Sequence, residues 1–86
     1  MFALTQIKHR ILVALRDHEG HMTANELAQA IDEPPFQIRA ELQDLARRSY
    51  GPSVRECWIR RRLEYELTPI GDQMSYTEQL EMWPDR

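Results

Sequence analysis

Between Thr23 and Gly71 the chain carries a run of local signals that leaves few folds open. Thr23-Ala24-Asn25-Glu26 has the form of a capping box. The Thr23 hydroxyl can accept from the third helical amide, and Glu26 can reach back to the amide of Thr23. A short helix over about Ala24–Ile31 follows, with Leu27, Ala28 and Ile31 inward. Asp32-Glu33-Pro34-Pro35 must break it, because proline has no amide to donate and pushes the preceding residue out of helical space. Pro35 suits the first turn of a new helix. That helix runs to about Arg48 on an apolar stripe of Ile38, Leu42 and Leu45. Gln37, Ala40, Glu41, Asp44 and Arg47 are left outward.

Tyr50-Gly51-Pro52 ends this helix, and a hairpin follows, with strands near Val54–Arg60 and Leu63–Thr68. Leu63, Tyr65 and Leu67 alternate with Glu64 and Glu66, which gives the second strand an inner and an outer face. Two registers compete. A two-residue loop at Arg61-Arg62 sets Trp58 opposite Tyr65, in the core. A three-residue loop sets Cys57 opposite Tyr65, turns Trp58 out and places Glu56 against Glu66. The first is favoured because like charges directly opposite are destabilising. No glycine marks the turn.

The flanks complete one domain over residues 1–86, enough chain for one small core. A first helix over about Gln6–His18 has Thr5 as N-cap and Ile7, Ile11, Leu12 and Leu15 on one face. Gly20 is placed to end it in a left-handed turn, and His21-Met22 extend into a very short strand. Thr68-Pro69 opens a last helix to about Met82, whose first turn Gly71 weakens. Leu80, Met82 and Trp83 add apolar bulk before Pro84. The expectation is an α+β, mostly helical fold.

Cys57 is the one cysteine, so no internal disulfide forms, and a reducing compartment fits. No apolar run approaches the roughly 20 residues that span a bilayer. Met1–Thr5 lacks the pattern of a secretory signal. A cytoplasmic protein without membrane contact is expected.

Net charge is −3, but it is unevenly placed. Residues 34–62 hold seven arginines against Glu41, Asp44 and Glu56, a net of +4. Residues 1–33 carry −2 and residues 63–86 carry −5. Local potential steers a polyanion more than the whole-chain sum does. The positive segment, a helix and the hairpin after it, is therefore a candidate nucleic-acid surface. Its carboxylates Glu41 and Asp44 oppose that use.

These residues resemble a winged helix-turn-helix domain of the bacterial and phage regulator type. The pattern is similar to that of the multiple-antibiotic-resistance, PadR-like and arsenic-resistance regulator families. Three pieces carry it: Thr23-Ala24-Asn25-Glu26-Leu27-Ala28; the positions of Ile38, Leu42 and Leu45; and Tyr65-Glu66-Leu67-Thr68-Pro69-Ile70-Gly71. The resemblance implies three helices with a helix-turn-helix at about 23–48, a two-stranded wing at about 54–68 and a C-terminal helix at about 69–82. It implies that Pro35, Phe36, Gln37, Arg39 and Ala40 sit where recognition-helix residues meet base edges. It implies that Arg60, Arg61 and Arg62 approach phosphates or the minor groove.

The expected function is a non-enzymatic, sequence-specific or architectural DNA-binding protein, a small transcriptional regulator of prokaryotic or phage origin. Gln37 and Arg39 are the base-reading candidates, since Gln pairs with adenine and Arg with guanine in the major groove. Gln43 and Arg47 extend that face, and Arg55 lies beside the wing arginines. By its own chemistry Phe36 reads as a packing residue closing the turn. The alternative is a protein-interaction module that does not bind DNA. Met74, Leu80, Met82, Trp83 and the first helix either complete the monomer core or form a homodimer seam. Catalytic motifs are absent. No cofactor or metal is expected, because His9, His18, His21 and Cys57 lack ligand spacing.

Overall fold

The computed structural model describes residues 6–47 and 52–76. Helix α1 spans Gln6–His18, strand β1 Met22–Thr23, helix α2 Ala24–Ile31 and helix α3 Pro35–Ala46. Strands β2 (Val54–Ile59) and β3 (Arg62–Leu67) and helix α4 (Pro69–Ser75) follow. The described residues thus form a mostly helical α+β domain, with four helices and one antiparallel sheet of order β1-β3-β2.

Side-chain caps open α2 and α4, whereas a proline opens α3 and backbone amides close the helix ends. Thr23 caps α2: its hydroxyl accepts from the Glu26 amide at 3.1 Å, and the Thr23 amide donates to Glu26 Oε1 at 2.9 Å. Asp32 closes α2 in the left-handed region, φ 59° and ψ 53°, and its amide donates to the Ala28 carbonyl. Asp is one of the few non-glycine residues that visit this region readily. Pro34 is extended, and Pro35 enters the first turn of α3. That helix stops at Ala46, two residues before the expected end, with Arg47 as C-cap. At the end of α1 the left-handed residue is Glu19, φ 59°, rather than Gly20, which follows at φ 148°.

The core is one cluster. Ile11, Leu12, Leu15, Leu27, Ile38, Leu42, Leu45 and Val54 are fully buried or nearly so, with Tyr65 close behind. Each such aliphatic side chain contributes on the order of 1.5–3 kcal/mol by leaving water. The predicted inward positions of the first three helices are therefore the observed ones, Ile7 being only partly buried.

The hairpin corrects both registers considered from sequence. Its loop is Arg60-Arg61, which sets Ile59 opposite Arg62, Trp58 opposite Leu63, Glu56 opposite Tyr65 and Arg55 opposite Glu66. This pairing puts Val54 against Leu67 in the core and an arginine against a glutamate on the outer face, both favourable cross-strand pairs. Trp58 shares the core-side face with Tyr65, but it lies near the tip, beyond the core, and is 72% exposed. The sheet also gains a third strand, since Met22 pairs with Tyr65 and Thr23 with Glu64.

Helix α4 opens as the sequence indicated. The Thr68 hydroxyl accepts from the Gly71 amide at 3.1 Å and donates to the Pro52 carbonyl at 2.6 Å. Gly71, however, is a packing requirement. A Cβ there would lie 2.0 Å from the Ser53 carbonyl oxygen. Met74 packs on the monomer core, with its sulfur 3.4 Å from the buried Ser53 hydroxyl. The expected Thr5 cap, Arg48, Leu80, Met82 and Trp83 lie outside the described residues. No helix among the described residues is long and apolar enough to cross a membrane.

Candidate nucleic-acid interface

Helical periodicity divides α3 into three stripes. Ile38, Leu42 and Leu45 face the core. Gln37, Glu41 and Asp44 form a second stripe beside α1. There Lys8 Nζ lies 2.7 Å from Glu41 Oε1 and 3.4 Å from Asp44 Oδ2. The Lys8 side chain is only 10% exposed and that of Glu41 21%. Glu41 is thereby turned away from the outer face of the helix, whereas the Asp44 side chain stays 70% exposed and keeps a net negative charge beside it. Glu41 was expected to point outward; it instead answers an ammonium that α1 places in the interior. Gln37 is half-buried on the same stripe, to the side of the outer face.

The third stripe is exposed and runs through Phe36, Ala40, Gln43 and Arg47, with Arg39 at its edge. Phe36 is 70% exposed, so it does not close the turn as a packing residue. The two prolines shape the turn without it. Arg39 borders an open groove lined also by Thr23, Ala24, Asn25, Leu63 and Tyr65, where the start of α2 meets the hairpin. Tyr65 senses both sides of this junction. Burial raises the pKa of its phenol, as does the Glu56 carboxylate, while Arg39 and Arg47 pull it back down.

The hairpin arginines fall into two groups. Arg55 Nε is 2.9 Å from Glu66 Oε1, and Arg62 lies 3.8 Å from Glu26 and 3.9 Å from Glu64. Arg60 and Arg61 form the turn itself, are exposed, and have no carboxylate within ion-pair distance among the described residues. The same holds for Arg39 and Arg47. Both tip residues have positive φ, 53° and 67°. This is the form of the two-residue turn that ordinarily selects Asn-Gly, because it matches the right-handed twist of the strands. Two arginines at such positions are held against their backbone preference.

The outer face of the sheet carries a cluster that sequence spacing did not reveal. His21 Nε2 lies 3.2 Å from Glu66 Oε2, and Cys57 Sγ lies 3.6 Å from Glu66 Oε1. Donor atoms of all three residues fall within 4.8 Å of one another. Burial raises the Cys57 pKa, helped by Glu66 and opposed by Arg55. Glu66 was the missing member. Only the strand order, with β3 between β1 and β2, brings residues 21, 57 and 66 together.

Of the sequence-predicted positions, Phe36, Arg39, Ala40, Gln43 and Arg47 share the outer side of α3. Pro35 starts the helix, exposed, and Gln37 is half-buried, to the side of the outer face. Arg60 and Arg61 project from the hairpin tip, while Arg55 and Arg62 are engaged by carboxylates. No family model, curated protein or solved structure matches this chain.

Proposed function

We propose that this domain is a winged helix-turn-helix that binds double-stranded DNA and serves as a small regulator or architectural factor. In this reading α2 and α3 are the helix-turn-helix, α3 enters the major groove, and the β2–β3 hairpin is the wing. One observation carries the proposal. Arg39, Arg47, Arg60 and Arg61 stand without carboxylate partners among the described residues, while Glu41 and Asp44 are drawn to Lys8. Guanidinium groups in that state release phosphate counterions on binding, which gives most of the affinity for a duplex. In this reading Arg39, exposed at the helix edge, makes a guanine contact and Phe36 meets a thymine methyl.

The pairing of Arg62 sharpens the expected salt response. Each phosphate neutralised contributes a slope of about −0.9 in log K against log salt. Replacing Arg60, Arg61 and Arg62 with alanine lowers the magnitude of that slope by about 2 rather than about 3. Fluorescence anisotropy on a short mixed-sequence duplex between about 50 and 200 mM salt measures it. An unchanged slope removes the wing from the interface, and absence of binding by the parent chain at low salt overturns the reading.

A second reading rests on Phe36 and Trp58, both more than two-thirds exposed. Large exposed apolar side chains suit a protein partner, and aromatic residues are enriched at such interfaces. The same titration separates the two, since a protein-interaction module leaves the duplex unbound at any salt.

A further inference from the structure

We propose that His21, Cys57 and Glu66 form a zinc-binding site on the outer face of the sheet, with water in the fourth position. The three residues offer one imidazole nitrogen, one thiolate sulfur and one carboxylate oxygen, the donor types that zinc takes. Bond lengths of roughly 2.0–2.3 Å at tetrahedral angles put neighbouring donors ~3.3–3.6 Å apart. Different oxygens of Glu66 meet the two partners, Oε2 at 3.2 Å from His21 Nε2 and Oε1 at 3.6 Å from Cys57 Sγ, so a carboxylate rotation brings one oxygen to both. With all donors inside 4.8 Å, small side-chain rotations close the set. Thiolate and imidazole together select zinc over magnesium or calcium, which prefer oxygen ligands.

Strand pairing holds the ligands in place. Glu66 is on the central strand, His21 directly precedes β1 on one side, and Cys57 is on β2 at the other. The three backbones are tied by the sheet, so the site is largely preorganised before any ion arrives. All three side chains are partly buried, accessible to an ion yet shielded from full hydration. Arg55 is the competitor, because its Nε occupies Glu66 Oε1 at 2.9 Å. Binding therefore exchanges a guanidinium for a metal ion at one carboxylate. Side chains alternate along a strand, so Cys57 and Glu66 point away from the face that carries Tyr65 and Leu63. An ion here clamps β1 to the hairpin from behind and leaves the groove beside Arg39 open. The site does not depend on the DNA-binding reading.

The test uses tag-free, reduced full chain titrated with cobalt(II), a spectroscopic stand-in for zinc. The expected result is a near-ultraviolet thiolate-to-metal band and visible bands of four-coordinate cobalt, both abolished by one equivalent of zinc. Cys57→Ser removes the thiolate band. His21→Ala and Glu66→Gln each weaken zinc binding by at least ~10-fold. Arg55→Ala tightens it by freeing Glu66. Zinc raises the thermal midpoint of the parent chain but not of Cys57→Ser. A parent spectrum without a thiolate band overturns the proposal with no variant needed. So does zinc affinity that is unchanged in Cys57→Ser folded by circular dichroism.

Discussion

From Thr23 to Ala46 each local signal agrees with its neighbour, whereas from Val54 to Leu67 several conflict. In the helical pair the capping box, the proline break and the apolar stripe all specify one backbone. In the hairpin, two arginines occupy left-handed turn positions, a tryptophan near the tip is left in solvent, and Glu56 lies opposite a buried tyrosine. Natural sequences tend to keep local and global preferences consistent, and departures gather where something other than stability is served. The contrast places the consistent, stabilising signals chiefly in the helices, and under the proposed function it leaves binding to the hairpin and the outer side of α3.

The largest effect expected in the helical half comes from Lys8. It joins α1 to α3 by holding Glu41 and Asp44, and it is nearly buried. Lys8→Ala leaves the Glu41 carboxylate in a poorly hydrated place without its counter-ion. Removing one partner of a fully buried pair costs about 3–5 kcal/mol, and the partial exposure here brings the estimate to about 2–4 kcal/mol. Urea denaturation measures it. The double change Lys8→Met with Glu41→Met recovers most of the loss, because apolar residues of similar size satisfy that position without a charge. A neutral Lys8→Ala would break the contrast, by showing that α3 is not held by that pair.

Gly71 marks the seam between the two halves. An alanine Cβ there meets the Ser53 carbonyl oxygen at 2.0 Å and its carbon at 2.9 Å, both backbone atoms that cannot rotate away. Ser53 also accepts from the Thr68 amide at 3.1 Å and donates its own amide to Leu45 at 3.0 Å. Displacing it therefore loosens the start of α4 and the end of α3 together. Gly71→Ala is expected to lower stability by about 2–3 kcal/mol, the upper part of the range for overpacking. A shift in the thermal midpoint reads it out. A small shift would mean that the α4 junction yields easily.

The same contrast explains how far the chain could be read in advance. Leu27, Ile38, Leu42 and Leu45 announce the helical core by spacing alone, and Thr23 and Thr68 announce their caps. Those signals lie within a few residues of the structure they create. The register of the hairpin depends on a turn whose residues, Arg60 and Arg61, carry none of the usual glycine or asparagine chemistry, so both registers drawn from sequence missed it. The pairing of Lys8 with Glu41 spans two helices and leaves no mark in either helix's own periodicity. His21, Cys57 and Glu66 lie far apart in sequence and meet only because β1 joins the far edge of β3. On α3 the exposure of Ala40, Asp44 and Arg47 was legible, whereas Gln37 and Glu41 are half-buried and Phe36, read as a packing residue, is exposed. Which arginines of the hairpin are neutralised was not, because that depends on the register.

The smallest expected effect separates the two roles most directly. Arg60 and Arg61 hold φ of 53° and 67°, and for each a non-glycine side chain is strained there. Arg60→Asn with Arg61→Gly supplies the residue types that this turn favours. The change removes two charges that have no carboxylate partner among the described residues, so little ion-pair energy is lost. Stability should rise by about 1 kcal/mol, since relief of left-handed strain outweighs the greater freedom that glycine brings to the unfolded chain. DNA affinity should fall in the same variant, with the salt slope reduced by about 2. Denaturant midpoints and duplex titrations on one protein sample give both numbers. Opposite signs mean that the turn carries its arginines for the duplex at the expense of its backbone. A variant that loses stability would show instead that the guanidinium groups hold the tip together, and the division between a structural half and a binding half would fail at the point where it is drawn most sharply.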